Sequence, residues 1–164
     1  MKKIYLILFI TIIYTGINSV YGQSKKFGLG FIIGEPTGLS AKLWTSKSNA
    51  IDFGLGWSVK GYRFYAYDPG YYEVSHTHFH MDYLWHSFNA LGNTGEFPLY
   101  YGVGGSIYAA SGYDTAFGIR GVFGVSWLPR SAPVDIFFEV VPTLIIVNPS
   151  GFAIDAGLGA RIYF

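Results

Sequence analysis

From Phe27 to the end of the chain two kinds of side chain alternate, and this alternation constrains the fold more than any other feature. One set of positions reads Phe27, Leu29, Phe31, Ile33, then Leu39, Ala41, Leu43, then Ile51, Phe53, Leu55, Trp57. It continues through Thr77, Phe79, Met81, Tyr83, Trp85, then Leu99, Tyr101, Val103, Ile107, then Phe117, Ile119, Phe123, Val125, Trp127. Ile136, Phe138, Val140 and Phe152, Ile154, Leu158, Ile162, Phe164 complete it, and no member is charged. The intervening set holds Gly28, Gly30, Ser40, Lys42, Asp52, Gly54, Gly56, His78, His80, Asp82, His86, Gly102, Gly104 and Ser106. Gly118, Arg120, Asp135, Glu139, Asp155, Gly157, Gly159 and Arg161 follow, so every charge within these runs falls in this second set. Successive side chains of a strand point to opposite faces, so the pattern describes an all-β chain with one apolar and one ionic face. Eight runs begin near Phe27, Gly38, Ala50, Tyr72, Leu99, Ala116, Val134 and Phe152. Breaks such as "EPT", "TSKSN", "DPG", "LPRSAP" and "NPSG" supply the turn residues between them.

The sidedness selects the architecture. An eight-stranded barrel has an interior just wide enough for side chains to fill, and more than thirty large apolar groups do not fit there. Small and ionic residues do. Turned outward, the apolar set matches the lipid-facing band of an outer-membrane barrel, where Lys or Arg at the bilayer midplane costs roughly 2–4 kcal/mol. The expected fold is therefore an eight-stranded antiparallel up-and-down transmembrane β-barrel. Tilted spanning strands need roughly 9–11 residues, which the chain length accommodates. Trp44, Trp57, Trp85 and Trp127 fall toward strand ends, where interfacial aromatics are expected.

Composition agrees. The chain is 20% aromatic and only 13% charged, with 22 Gly, whereas a soluble domain carries about 25% charged residues. There is no Cys, so disulfides and thiolate metal sites are excluded. A net charge of +1 gives no reason to expect nucleic acid. Lys2 and Lys3 precede an apolar run from Ile4 to Ile13 and a small-residue exit. That run is shorter than the roughly 20 residues of a spanning helix and has the form of a secretory signal peptide. Residues 1–22 are expected to be the signal, and residues 23–164 a single barrel domain.

The ending "GLGARIYF", with Gly159, Ile162 and Phe164 in alternating register, resembles the C-terminal signal of bacterial outer-membrane barrels. The resemblance implies recognition by the barrel-assembly machinery. The chain as a whole resembles the small OmpX/OmpA-type barrels. More closely, "GEPTGLSAK", "DYLWH", "PLYYGVGG" and "APVDIFFEVVP" resemble a family of outer-membrane β-barrel proteins of unknown function from spirochaetes, over most of residues 27–164. Two features depart from the pattern. In this class periplasmic turns are short and external loops long, yet here "EPT" is minimal and the periplasmic "FNALGNTGEFP" is long. Pro142 also falls in a strand with neighbours on both sides, which points to a bulge or to the outer rim of the seventh strand.

Four kinds of chemistry compete. Lys42, Asp52, Asp82, Arg120, Glu139, Asp155 and Arg161 form a lumen charge network, expected to pair and plug the interior, with a narrow channel as the alternative. His76, His78, His80 and His86 share a face with Asp82 at period two, so neighbours lie roughly 6–7 Å apart. Imidazole with carboxylate suits zinc; equally, these residues serve as polar lumen fillers, hydrogen-bonded within the barrel. A lipid-modifying enzyme needs an activated Ser or His near the outer leaflet, and the apolar face holds neither. Finally, "KGYRFYAYDPGYYEVSH" carries Tyr62, Tyr65, Tyr67, Tyr71 and Tyr72 around a turn at Asp68-Pro69-Gly70. Such a ribbon over residues 60–76 suits contact with a host or extracellular protein, or else forms an aromatic girdle among headgroups. The sequence thus leads to a monomeric, cofactor-free, non-enzymatic protein of the bacterial outer membrane, with a structural or surface-interaction role.

Overall fold

The computed structural model describes residues 25–57, 77–92, 95–109, 115–147 and 150–164. The expected signal segment, Tyr62, Tyr65, Tyr67, Tyr71, Tyr72 and His76 lie outside these residues. Eight strands form in chain order: β1 Phe27–Gly34, β2 Thr37–Trp44, β3 Asn49–Trp57 and β4 Thr77–Ser87, followed by β5 Leu99–Ala109, β6 Ala116–Trp127, β7 Val134–Val147 and β8 Gly151–Tyr163. Each pairs antiparallel with the next, and β8 pairs with β1, so the sheet closes into an all-β, up-and-down barrel. Closure leaves no free sheet edge. The expected start of the fourth run at Tyr72 lies outside the described residues, and described pairing there begins at Thr77.

Local chemistry explains the connections. Between β1 and β2 only Glu35 and Pro36 intervene; their peptide bond is cis, and Gly34 takes φ 137° at the turn. The Thr37 hydroxyl closes it, donating to the Gly34 carbonyl at 2.9 Å and accepting from the Gly34 N–H at 3.2 Å. Between β2 and β3 the N–H groups of Thr45 and Ser46 donate to the Asn49 carbonyl. The long β4–β5 connection folds back onto the β6–β7 turn. There the N–H of Leu128 donates to the Glu96 carbonyl at 2.7 Å, and the N–H of Ser126 to that of Pro98 at 3.0 Å. Its length serves to extend the ladder beyond the strands.

The two faces separate as the alternation requires. Lys42, Asp52, Asp82, Arg120, Asp135, Glu139, Asp155 and Arg161 are all buried on the inner side. The apolar set points outward, with Ile33 71%, Phe31 67% and Ile154 66% exposed. Thirty large apolar side chains are exposed among the described residues, far more than the single patch a soluble monomer carries.

Three details differ from the sequence reading. The interior is not only small and ionic: Ile32, Leu84, Tyr100, Val122, Phe137 and Val141 form one apolar cluster inside it, and Tyr108, Ala116 and Ile145 a second. Pro142 marks neither a bulge nor a rim. It sits within β7 opposite Ile154, and the register shift falls further along the same strand, where Ile146 is the extra residue opposite Phe117/Gly118 of β6. Trp44 does not join the outer belt; it shares the inward parity of Lys42, with its ring 4.4 Å from that of His86.

Glycine decides where large inward groups fit. Gly30 lies between Arg161 of β8 and Ser40 of β2, and a Cβ there would run into the Ala160 carbonyl. Gly30→Val is accordingly expected to destabilise the closing seam by about 1–3 kcal/mol, the range for overpacking. Equilibrium urea unfolding in detergent would measure this, with Ile33→Val on the outer face as a control expected to stay within about 0.5 kcal/mol.

Candidate functional site

The lumen is where chemistry-bearing side chains converge. Arg161 is its centre: one terminal nitrogen lies 2.7 Å from Oδ1 and 2.9 Å from Oδ2 of Asp52. The other lies 3.3 Å from Oδ2 of Asp135. Its Nε and a terminal nitrogen also donate to the Ser40 hydroxyl at 2.9 and 2.7 Å. The guanidinium carbon sits 3.7 Å from the Phe137 ring centroid, in cation–π contact. Side chains from β2, β3, β7 and β8 thereby meet across the glycines of β1.

Asp135 is the second hub. Its Oδ2 accepts from Lys42 Nζ at 3.1 Å, from Arg161, and from the Tyr163 hydroxyl at 3.2 Å. Lys42 Nζ also lies 4.9 Å from the Tyr100 ring centroid, and the Tyr100 hydroxyl donates to Glu139 at 3.0 Å. At the mouth nearest the C-terminus Trp44, His86 and Tyr100 pack in series with tilted rings, the Trp44–His86 and His86–Tyr100 centroids 4.4 and 5.2 Å apart.

A further group stands on β4 to β6. Arg120 Nε donates to both oxygens of Asp82 at 3.1 and 3.2 Å, reaching across Gly104, which pairs with each of them. An Arg120 terminal nitrogen lies 3.4 Å from His78 Nε2, and the His78 ring stacks on Tyr108 at 4.6 Å. The His80 ring lies over Gly54, its direct partner on β3, where a Cβ would collide with the imidazole. The same device recurs at Gly28 beneath Tyr163, Gly124 beneath Tyr100 and Gly159 beneath Phe137. Large inward side chains lie across glycines of the neighbouring strand, which is how a narrow lumen holds them.

All seven sequence-predicted lumen charges, Lys42, Asp52, Asp82, Arg120, Glu139, Asp155 and Arg161, are buried inside. The histidines do not assemble as one set. His78 and His80 have ring centroids 5.1 Å apart, His86 belongs to the aromatic cluster at the mouth, and His76 lies outside the described residues. His80 groups instead with Asp52 and Asp82. Of the terminal residues, Gly159 faces inward while Ile162 and Phe164 face out, and the Phe164 N–H donates to the Phe27 carbonyl at 2.8 Å. Asp135 was visible on the ionic face but was not singled out as part of the network. The sequence reading does not include Tyr100, Phe137 and Tyr163, although their even spacing along the strand from Gly102, Glu139 and Arg161 respectively carries the signal.

No family model matches the chain, and no curated protein matches it.

Breaking one of these pairs strands the other charge without compensation, which costs about 3–5 kcal/mol. Arg161→Ala is expected to lower stability by that amount in equilibrium unfolding. Adding Asp52→Asn should recover a substantial part, because Asp52 is the carboxylate left without a partner, whereas Asp135 keeps Lys42.

Proposed function

We propose that this protein is an outer-membrane β-barrel with a plugged lumen, non-enzymatic, acting as a structural or surface-interaction element rather than a conduit. The observation that carries the reading is the pairing of the two faces. Among the described residues thirty large apolar side chains are exposed, nearly all on the outer face of the strands, around an interior whose ionic groups bond to one another. Hydrocarbon is the surrounding in which such an exterior is stable, and a closed barrel leaves no backbone edge unsatisfied in lipid. A pore of this size would need mobile, hydrated side chains; Arg161 instead bridges Asp52, Asp135 and Ser40 across the lumen. The likeness of the sequence to small outer-membrane barrels supports the same location, export by an N-terminal signal and insertion by the barrel-assembly machinery. The partners are then outer-membrane lipid and, through residues 60–76, an extracellular or host protein. The working form is a monomer.

Two measurements test this. In planar bilayers the purified protein should give no conductance steps, whereas Arg120→Ala/Arg161→Ala opens the lumen to ions; steady single-channel currents from the wild type would overturn the plug. Val103, mid-strand in β5 and 57% exposed, lies on the outer belt. Val103→Lys should destabilise the barrel in lipid vesicles by roughly 2–4 kcal/mol, the midplane cost of a lysine. No measurable change would contradict a lipid-facing Val103.

A further inference from the structure

The ionic interior does not balance. Among the described residues the lumen buries Asp52, Asp82, Asp135, Glu139 and Asp155 against Lys42, Arg120 and Arg161, two formal negative charges in excess. The imbalance has a focus. Asp52 and Asp82 are direct partners across β3 and β4, both on the inner face and both 2% exposed. Like charges directly opposite destabilise a strand pair, and in a closed interior they do so without solvent to screen them. One residue along each strand's inner face, His80 overlies Gly54.

We infer that Asp52, Asp82 and His80 form a buried site for one divalent first-row transition-metal ion, zinc being the natural occupant. Each residue offers one ligand atom, and the three atoms lie within 4.8 Å of one another. Zinc bonded at about 2.0–2.2 Å to each in tetrahedral geometry brings such atoms to about 3.3 Å apart, a contraction of at most about 1.5 Å. An N,O,O donor set of one imidazole and two carboxylates suits zinc and its neighbours. Calcium, with 6–8 oxygen ligands, is poorly served.

A second observation, the state of the imidazole itself, points the same way. His80 is 2% exposed; its ring reaches into the acidic pair, with Nε2 3.8 Å from Asp82 Oδ2, while its Nδ1 has no hydrogen-bond partner. A neutral imidazole buried with an unpartnered nitrogen is costly, yet Gly54 is kept empty of a side chain to admit that ring. The surroundings fit a metal ligand shell as well. Arg120 grips Asp82 and Arg161 grips Asp52, the outer-shell hydrogen bonds that orient ligating carboxylates. The ion would draw together strands that otherwise set one carboxylate against another. This inference rests on the barrel interior alone and does not depend on membrane location.

The test uses tag-free protein purified in mild detergent, stripped with chelator, exposed to zinc and freed of excess metal. Elemental analysis should find about one zinc per chain, the stoichiometry of a single site. X-ray absorption on that same wild-type sample should show one imidazole among light O/N ligands. His80→Gln, which leaves every arginine pair intact, should abolish retention, while His86→Gln at the mouth should leave it unchanged. Wild-type protein that retains no zinc overturns the site. So does zinc ligated by two or more imidazoles, or retained equally by His80→Gln. The absorption spectrum decides the matter even if His80→Gln fails to fold.

Discussion

Closing eight strands into a barrel gives every strand one face toward a narrow lumen and one toward the surroundings, and the rest of this structure follows from how side chains divide between them. The lumen admits ionic groups only if they find partners, because a buried unpaired charge costs several kcal/mol. It admits large groups only if a neighbour gives way. Both conditions are met by the same arrangement, in which a long inward side chain lies across a glycine on the next strand and reaches a partner beyond it. Arg161 crosses Gly30 to reach Ser40, and Arg120 crosses Gly104 to reach Asp82.

This arrangement gives the abundant glycine a spatial meaning. Gly54, Gly104, Gly124 and Gly159 are slots for His80, Asp82, Tyr100 and Phe137. It also explains why apolar side chains share the lumen with ions. Phe137 lies under the Arg161 guanidinium and beside Lys42, and Tyr100 takes part in cation–π contact while donating to Glu139. Aromatic faces and carboxylates together surround the cations, so the two kinds of interior are one packed unit.

The strand number, the antiparallel order and the assignment of faces were legible in the sequence because a period of two is a strong signal over eight runs. Phe53 and Lys42 needed no tertiary information to be put on opposite sides. What stayed hidden depended on cross-strand register, which periodicity along one strand does not carry. Asp52 opposes Asp82, and His80 meets Gly54 rather than another histidine, only because β3 and β4 pair as they do. Asp135 became a hub for the same reason, since Lys42 reaches it across β1 and β8. Pro142 keeps its register opposite Ile154, and the extra residue of β7 is Ile146, a position that only the pairing with Phe117/Gly118 of β6 reveals.

The paired ionic interior and the apolar exterior are the two observations on which the proposal of a membrane-held, surface-acting protein rests. The exterior is the decisive half. Spin labels placed singly at Met81, Phe123 and Leu158, all on the outer face, should in lipid vesicles collide freely with dissolved oxygen and be shielded from a water-soluble paramagnetic reagent. Labels that meet the aqueous reagent and escape oxygen would contradict a lipid-facing belt, and with it the membrane-spanning barrel.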